Sequence, residues 1–366
     1  MARRLTSWLV RAFSDGDMPV RSDSWCENGR MLSQVAVCLL LCLLTAVGEA
    51  QEPHFHSQSN IVLVPVLVRD AHGNIVYGLR AKDFVVRDDG VPQKVELDDA
   101  EAQVTTPVSV LVAVQTGRRA KREFARIRGL ASLLLPTLDQ EGSQIGLLEF
   151  DSHVHLVQPF SRDGNLLRTD LARLKPGDDG AAILDAVAYA IRLLQDAPAG
   201  HQRIVLLISE TRDHGSRTAK IDELVRSLGD TNTVLYALPF SPSLSQVLDT
   251  ERGSNKDEWR DCCPDLWAPL VMTRQAFRRN ATKAMASLSG GEYELFKSRR
   301  GFEADLTDFT NHLHNRYMLS FQPKDPHPGP HRIEVRVLEP PEATVLARTM
   351  YWAVGTHDLT VPSERK

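Results

Sequence analysis

The sequence predicts an α/β fold in which a doubly wound, mostly parallel six-stranded sheet is inserted in a small antiparallel β-sandwich. In the middle of the chain, short apolar runs alternate with amphipathic helical segments, as in a parallel sheet covered on both faces. Before and after that region, apolar and polar residues alternate between turns, which is typical of antiparallel strands. Each flanking β segment is too short to bury a core alone, so the two are expected to pair with each other.

The composition is compatible with most classes of protein, but the distribution of charge argues against a nucleic-acid partner. The 366 residues are 42% hydrophobic and 25% charged, with a formal net charge of −4, which are values of ordinary globular proteins. The basic residues form a local cluster and no chain-wide basic face, so the sequence does not favour a nucleic-acid partner.

The N-terminal residues are predicted to be a targeting segment. Val35–Val47 is an apolar run of 13 residues, which is short for a membrane span and typical of a signal-peptide core. Small residues at Gly48 and Ala50 predict cleavage after Ala50 and export to the periplasm or the cell exterior. An uncleaved anchor is the alternative. Three translation starts remain open, namely Met1, Met18 and Met31.

Composition shifts divide the chain into five segments. They are a leader and signal peptide at 1–50, an N-terminal β segment at 57–104, an α/β domain at 105–315, a C-terminal β segment at 316–355 and a tail at 356–366. Residues 241–269 form a long Ser-, Asp- and Pro-containing excursion, which at this length is typical of a functional or disordered loop. It contains the two cysteines left after the leader, Cys262 and Cys263, as a vicinal disulfide or as free thiols.

The predicted elements follow from the apolar spacing. The N-terminal segment has four strands, NIVLVPVLVRD, IVYGL, DFVVRDDG and QKVELDD. The α/β region has six strands, VSVLVAV, SQIGLLEF, HVHLVQPF, RIVLLIS, NTVLYALPF and EYELF. Its helices are predicted at Arg119–Leu138, Asn165–Leu174, Ala181–Leu194, Thr218–Leu228, Arg274–Leu288 and Phe302–Asn315. The C-terminal strands are RYMLSFQP, HRIEVRVL and TVLARTMYWAV.

A basic cluster follows the first strand of the α/β region. The strand ends in Gln-Thr-Gly, and the next residues begin a helix that carries Arg118, Arg119, Lys121 and Arg122. Strand ends and helix N-termini converge at ligand sites of α/β proteins. A helix N-terminus disfavours cations, so this cluster calls for a negatively charged partner.

Seven stretches resemble a known family in their order along the chain. They are GLRAKDFVVRDDGVPQKV, VLVAVQTG, IGLLEFDSHVHLVQPFSRD, GAAILDAVAYA, RIVLLISETRDHGS, LSGGEYELF and NRYMLSFQP. Over roughly residues 60–340 the chain is similar to the acidobacterial von Willebrand factor A-related family. The resemblance implies a von Willebrand type A domain, Rossmann-like in fold, that binds partners and does not catalyse reactions. Many such domains hold a divalent cation at the C-terminal edge of the sheet, in a metal-ion-dependent adhesion site.

The family's ligand pattern is poorly matched here. The pattern is Asp-x-Ser-x-Ser after the first strand, then a Thr and a later Asp. With Gly117 aligned to the family's glycine, the five ligand positions are Val114, Thr116, Arg118, Ala181 and Glu210. Mg²⁺ takes about six hard oxygen ligands. Valine and alanine supply none, and a guanidinium repels a cation, so no metal and no cofactor are expected.

The alternative to a cation is an arginine. We expect Arg118 to pair with Glu210, because an unpaired buried carboxylate is costly, with Asp178, Asp179 and Asp213 as its alternative partners. The other basic residues of the cluster are predicted to be a solvated face. Further carboxylates expected on this rim are Asp178, Asp179 and Asp213. A basic rim of this kind suits an acidic side chain of a protein partner, which arginine binds bidentately.

Three functions remain in view. The first is an exported, non-enzymatic binding or adhesion module with a degenerate metal site, which contacts a membrane only if the leader is uncleaved. The second is a conventional Mg²⁺-dependent adhesion domain that uses the rim carboxylates as ligands. The third is a hydrolase, for which the candidates are scattered and no nucleophile motif exists; they are Asp151, His153, His155, Ser209 and Ser216.

Overall fold

The computed structural model describes residues 61–98, 106–240, 275–295, 299–313, 315–324 and 327–353. The predicted signal peptide, the whole excursion at 241–269 with its two cysteines, and the tail at 356–366 lie outside these ranges. None of the helices within them combines the length and the hydropathy that crossing a bilayer requires.

The described residues form a mixed α/β fold with three sheets. The strands are β1 (Val62–Arg69), β2 (Phe84–Asp88), β3 (Val91–Gln93), β4 (Val95–Leu97), β5 (Val108–Gln115), β6 (Gln144–Phe150), β7 (Val154–Ser161), β8 (Gln202–Ile208), β9 (Val234–Ala237), β10 (Tyr317–Phe321), β11 (Gly329–Val337), β12 (Thr344–Ala347) and β13 (Met350–Ala353). The α-helices are α1 (Phe124–Ile127), α2 (Leu130–Leu134), α3 (Gly164–Arg173), α4 (Ile183–Gln195), α5 (Ile221–Asp230), α6 (Ala281–Ser289) and α7 (Arg299–Leu313). Short 3₁₀ helices occupy Ala81–Asp83, Arg118–Glu123 and Leu135–Leu138.

The central sheet has the strand order β7-β6-β5-β8-β9. The pairs β5–β6, β5–β8 and β8–β9 are parallel. Strand β7 is antiparallel to β6, because three residues join them and a parallel crossover needs a dozen or more. The prediction of six strands in this sheet is wrong for the described residues, in which the central sheet has five. The segment EYELF contributes only a bridge from Tyr293 to Ala237, where β9 itself ends.

Both faces of the central sheet are buried. Val110, Val112 and Val114 of β5 lie in the cluster that includes α1, α2 and α7. Leu111 and Ala113 point to the opposite cluster, which includes α4, α5 and α6. A strand buried on both faces needs apolar residues at every position, which explains why β5 is a continuous apolar run.

The other two sheets each combine strands from the two ends of the described chain. Their orders are β12-β1-β10-β4 and β13-β11-β2-β3, with antiparallel neighbours throughout. Val64, Val86 and Leu319, from strands of both sheets, belong to one buried cluster. The N- and C-terminal β segments therefore share a core that neither encloses alone.

Two predicted helices are interrupted, each for a local reason. The helix predicted at Arg119–Leu138 is four short helices, because Gly129 and Pro136 weaken the hydrogen-bond ladder. The helix predicted at Arg274–Leu288 is broken at Asn280, whose side chain accepts a hydrogen bond from Lys283 N and begins α6 as its N-cap.

The last predicted strand, TVLARTMYWAV, is two strands in different sheets. Strand β12 pairs with β1, and β13 pairs with β11. Arg348 lies between them and is buried. Its guanidinium donates to the carbonyls of Leu63 and Leu228 at 3.1 and 3.2 Å, and a charged group so held cannot follow a regular strand.

Candidate functional site

The candidate site lies where the carboxyl ends of β5 and β8 meet. The two strands are parallel neighbours with Val114 opposite Ile208, so their following loops start side by side. A third loop reaches the same place, because Gly177 N donates to Thr116 O at 2.8 Å and Arg118 N donates to Asp178 O at 2.7 Å. We call this edge the rim and define it by residues 115–119, 151–153, 177–182 and 210–216.

Gly117 allows these loops to approach. A Cβ atom at this position would stand 2.4 Å from the carbonyl oxygen of Gly180, far inside contact distance. The glycine of the sequence motif is therefore required by the close packing of the 177–182 loop on the end of β5.

Glu210 is the buried carboxylate of the rim. Its Oε1 accepts hydrogen bonds from Gln115 Nε2 at 2.8 Å and lies 3.2 Å from His214 Nε2. Its backbone N–H donates to Gln115 Oε1 at 2.8 Å, so Glu210 and Gln115 bind each other through two hydrogen bonds. Both side chains are almost fully buried. The pair fixes the end of β8 to the end of β5.

The arginine that pairs with Glu210 is Arg119. Its Nη1 lies 3.1 Å from Glu210 Oε2, with the arginine side chain 55% exposed. Arg118 instead pairs with Asp179 at 3.2 Å, and both of those side chains are 71% exposed. The expectation that Arg118 reaches Glu210 is wrong, but Asp179 is one of the alternative partners expected for it. The expectation that Arg119 is only part of a solvated face is also wrong. Both residues begin a 3₁₀ helix, whose tight turn points neighbouring side chains in different directions.

The predicted positions that lack donor atoms are buried in the core. Val114 belongs to the cluster under α1 and α2, and Ala181 to the cluster under α4. Thr116 does have a hydroxyl, which donates to the carbonyl of Phe150 at 3.2 Å. These three residues therefore form the buried side of the rim, against which its loops pack.

The remaining carboxylates of the prediction have separate partners. Asp213 Oδ1 accepts from Leu184 N at 3.1 Å and from Ser216 Oγ at 2.5 Å, which fixes the start of α4. Asp178 Oδ1 accepts from the backbone N–H of Gly180 at 2.8 Å and of Ser152 at 3.0 Å. These hydrogen bonds, chiefly that from Gly180, hold the pKa of Asp178 below its ordinary value.

A second group of ligand-type side chains stands on the same rim. One donor atom from each of Asp151, His153 and Asp178 lies within 4.8 Å of the others. Asp151 is oriented by the backbone, because its two oxygens accept from His153 N and Asp178 N at 2.8 and 3.1 Å. The His153 side chain is largely exposed.

The sequence indicated part of this arrangement. It placed Thr116, Arg118, Asp178 and Glu210 at one edge, but gave no role to Gln115, Arg119 or His214. Gln115 had a usable signal, since it is a polar residue at the end of an otherwise apolar strand. His214 had a weaker one, at four residues from Glu210.

The residues around Glu210 do not fit a magnesium ion. Both carboxylate oxygens already face nitrogen atoms, and one of these belongs to a guanidinium at 3.1 Å. Mg²⁺ needs oxygen ligands in near-octahedral order, whereas a nearby arginine opposes any cation. The hydroxyls of Ser209 and Ser216, the candidate nucleophiles of a hydrolase, donate to Glu210 O and to Asp213.

A comparison with known families finds a match in the part of the chain that contains the rim. Residues 113–216 match the family model of the von Willebrand factor type A domain. The matched region begins within β5 and ends after the rim loop of Glu210. This part of the chain is therefore similar to von Willebrand factor type A domains. The narrower resemblance to the acidobacterial family stays a prediction.

Several solved structures are similar to the chain at low identity. A von Willebrand factor type A protein from Catenulispora acidiphila is 10% identical, with 81% of this chain and 76% of that chain covered and a TM-score of 0.41. BatB from Bacteroides thetaiotaomicron is 16% identical over 56% of this chain and 98% of its own, with a TM-score of 0.38.

The vWF domain of the type V pili tip protein Mfa5 from Porphyromonas gingivalis is 19% identical, with a TM-score of 0.27. That match covers 30% of this chain and 39% of the Mfa5 domain. Because these TM-scores lie below 0.5, the family assignment rests on the family match. Among curated proteins, no sequence matches the chain.

Proposed function

We propose that the protein is an exported, non-enzymatic binding module whose metal-ion-dependent adhesion site is degenerate, and that it binds protein partners in the cell envelope or outside the cell. The ion pair between Arg119 and Glu210 carries this proposal. Glu210 stands where the family has a cation ligand, and here a guanidinium supplies the positive charge.

The burial of Glu210 supports this replacement. A cation entering the rim has to displace Arg119 or His214 from a carboxylate that is only 2% exposed. Displacement leaves hydrogen-bonding groups without partners in a region of low dielectric, which is costly. The arginine is therefore the more stable partner for Glu210.

The partner group we propose is an acidic side chain. The exposed pair of Arg118 and Asp179 stands beside Arg119, and Lys121 and Arg122 follow on the same 3₁₀ helix. Exposed ion pairs contribute about 0–1 kcal/mol, so a partner carboxylate can replace Asp179 at little cost. Guanidinium groups bind carboxylates bidentately, which suits recognition without a metal.

Export is proposed from the sequence. The apolar run Val35–Val47 with small residues before position 51 is typical of a signal peptide that is removed. A module that acts in adhesion or envelope assembly has to leave the cytoplasm, so the two parts of the proposal support each other.

A conventional Mg²⁺-dependent adhesion domain is the second candidate. The observation that favours it is the group of Asp151, His153 and Asp178, whose donor atoms lie within 4.8 Å of one another on the rim. Two carboxylates at such a spacing can bind a hard cation with water completing its shell.

The experiment that separates the two candidates is a calorimetric titration of Mg²⁺ into the chelator-treated full chain. We expect no saturable heat from the wild type. Saturable binding that disappears in Asp178→Asn would favour the second candidate and refute the first.

The same preparation tests the proposed partner chemistry. Binding to envelope proteins is expected to persist in chelator, to weaken with salt, and to fall about tenfold in Arg118→Glu, because reversing the charge repels an acidic partner. Arg168→Glu is the matched control, since Arg168 is an exposed arginine on α3. Binding that requires a divalent cation, or equal loss in both variants, contradicts the proposal.

A further inference from the structure

Four ligand-type residues come together in the sheet β13-β11-β2-β3. Asp88 is the last residue of β2, and Asp89 begins the turn to β3. His331 lies on β11, and His327 precedes that strand. We call this set the acid–histidine cluster, defined as Asp88, Asp89, His327 and His331. It shares no residue with the rim.

One ring nitrogen of His331 lies close to a carboxylate oxygen of each aspartate in the cluster. His331 Nδ1 lies 3.1 Å from Asp88 Oδ1 and 2.9 Å from Asp89 Oδ2. Donor atoms of Asp89, His327 and His331 all lie within 4.8 Å of one another. Ligands of one ion with bonds of about 2.0–2.1 Å are separated by about 3–4 Å, so these spacings need only small adjustments.

Asp88, Asp89 and His331 are each oriented by a second hydrogen bond, made by the atom of the side chain that faces away from the cluster. Tyr351 Oη donates to Asp88 Oδ2 at 2.8 Å, and Arg332 N donates to Asp89 Oδ1 at 2.9 Å. The remaining ring nitrogen of His331, Nε2, is 2.7 Å from the carbonyl of His327. Carbonyl and carboxylate oxygens only accept, so without an ion both ring nitrogens carry a proton, and a cation bound here replaces the proton on Nδ1. Histidines that bind metals are oriented in the same way.

The backbone holds the cluster before any ligand arrives. Asp89 has φ +47° and Gly90 has φ +82°, as the two-residue turn of the hairpin between β2 and β3 requires, and this turn fixes the position of the Asp89 side chain. Between the two histidines stands the segment Pro328-Gly329-Pro330, in which the prolines restrict φ. Little conformational freedom therefore remains to be lost on binding.

A divalent cation balances the charges of Asp88 and Asp89 better than a proton on His331 does. His331 and Asp88 are both buried, at 1% and 5% exposure, and Asp89 is partly exposed. One imidazolium against two carboxylates leaves a net negative charge in this buried place. A divalent cation with a neutral imidazole balances the two carboxylates, and uncompensated buried charge is what folded proteins avoid.

We propose that the acid–histidine cluster binds one divalent cation of the zinc class. Imidazole and carboxylate together suit Zn²⁺ and similar borderline ions, whereas Mg²⁺ prefers oxygen ligands alone and Cu⁺ prefers sulfur. The four residues supply two oxygens and up to two nitrogens. The ion would join β2, the turn to β3 and the start of β11, and the proposal holds whether or not the rim binds an acidic partner.

The test is a titration of Co²⁺ into the chelator-treated full chain, followed by visible absorption, with Zn²⁺ added as competitor. We expect one Co²⁺ per chain and its displacement by Zn²⁺. Asp89→Asn removes a charged ligand but keeps an oxygen for Arg332 N, and is expected to weaken binding more than about tenfold. Tyr351→Phe frees Asp88 without touching the ion, and is expected to weaken binding by about 10–100-fold.

The matched control is His153→Gln, which changes the rim group and leaves the acid–histidine cluster intact. We expect its Co²⁺ affinity to equal that of the wild type. Far-UV circular dichroism of the metal-free variants confirms that each is folded. The proposal is overturned if the wild type takes up no Co²⁺, if Asp89→Asn binds as the wild type does, or if His153→Gln abolishes uptake.

Discussion

Arg118 and Arg119 are neighbours with the same chemistry and opposite environments. Arg119 contacts a buried carboxylate, and Arg118 contacts an exposed one. We expect Arg119→Met to lower the free energy of unfolding by about 1–3 kcal/mol, because Glu210 then keeps its charge without its cation. Arg118→Met should cost less than about 0.5 kcal/mol, since an exposed pair contributes little.

Urea unfolding of the two variants measures this difference directly. Retention of the native fold is checked by far-UV circular dichroism before each titration. Equal costs for the two substitutions would mean that Glu210 does not depend on Arg119, and the central contact of the proposed rim would be lost.

At the scale of an element, the start of α4 depends on Asp185. Its carboxylate accepts hydrogen bonds from Arg217 N, Thr218 Oγ1 and Ala219 N, at 2.8, 2.8 and 2.6 Å. Partial burial raises the pKa of Asp185, but these hydrogen bonds outweigh it and the pKa is lower than ordinary. The side chain thus fastens the loop before α5 to the first turn of α4.

This lowered pKa predicts a pH dependence. The ionised form contributes stability above the unfolded-state pKa of about 3.9, and that stability is lost as the pH falls through the lower folded-state pKa. We expect Asp185→Asn to cost about 1–3 kcal/mol at pH 7 and progressively less below pH 4. Urea unfolding between pH 7 and pH 3 measures it, with Asp196→Asn at the exposed far end of α4 as control. A cost independent of pH would contradict the assignment.

The strands of the central sheet could be predicted from sequence patterns more accurately than the starts of the helices. Continuous apolar runs predicted β5, β6 and β8, because a strand buried on both faces can be built from few other residues. Helix starts were less predictable: α5 begins at Ile221, three residues after the prediction, because Asp185 holds Thr218 and Ala219 outside the helix. A contact between residues more than 30 positions apart leaves no local signal.

Only part of the rim could be predicted from the sequence. The positions of Thr116 and Glu210 follow from parallel strands ending together, which is a property of the topology. The choice between Arg118 and Arg119 depends on the local rotation of a 3₁₀ turn, where the apolar spacing of the sequence had indicated an α-helix. The acid–histidine cluster depends on the pairing of β2 with β11, which no spacing within either segment indicates.

At the scale of the whole molecule, Arg348 joins the terminal strands to the α/β part. Its guanidinium donates to Leu63 O on β1, to Leu228 O and Gly229 O at the end of α5, and to Asn232 Oδ1. Burial lowers its pKa to about 10. A second contact joins the same two parts, because Arg226 of α5 lies over the ring of Trp352 on β13, 4.5 Å from its centre.

Removing this connection should weaken the whole fold. We expect Arg348→Met to lower the free energy of unfolding by about 2–4 kcal/mol, because buried carbonyls lose their donor. The control Arg336→Met, at an exposed position of β11, should stay within about 0.5 kcal/mol. Urea unfolding monitored by circular dichroism compares them. A cost near that of the control would show that the two parts are held together without Arg348.

The pairing of the first strands with the last ones also constrains how the chain is made. Leu63 and Arg348 are 285 positions apart, and each outer sheet contains a strand from the end of the described chain. The two sheets cannot be completed on the ribosome until β12 and β13 have been synthesised, and contacts of such separation form slowly. During synthesis β1 therefore lacks both of its partner strands and β2 lacks β11, so these strand edges stay open to other chains until the last described strands are made.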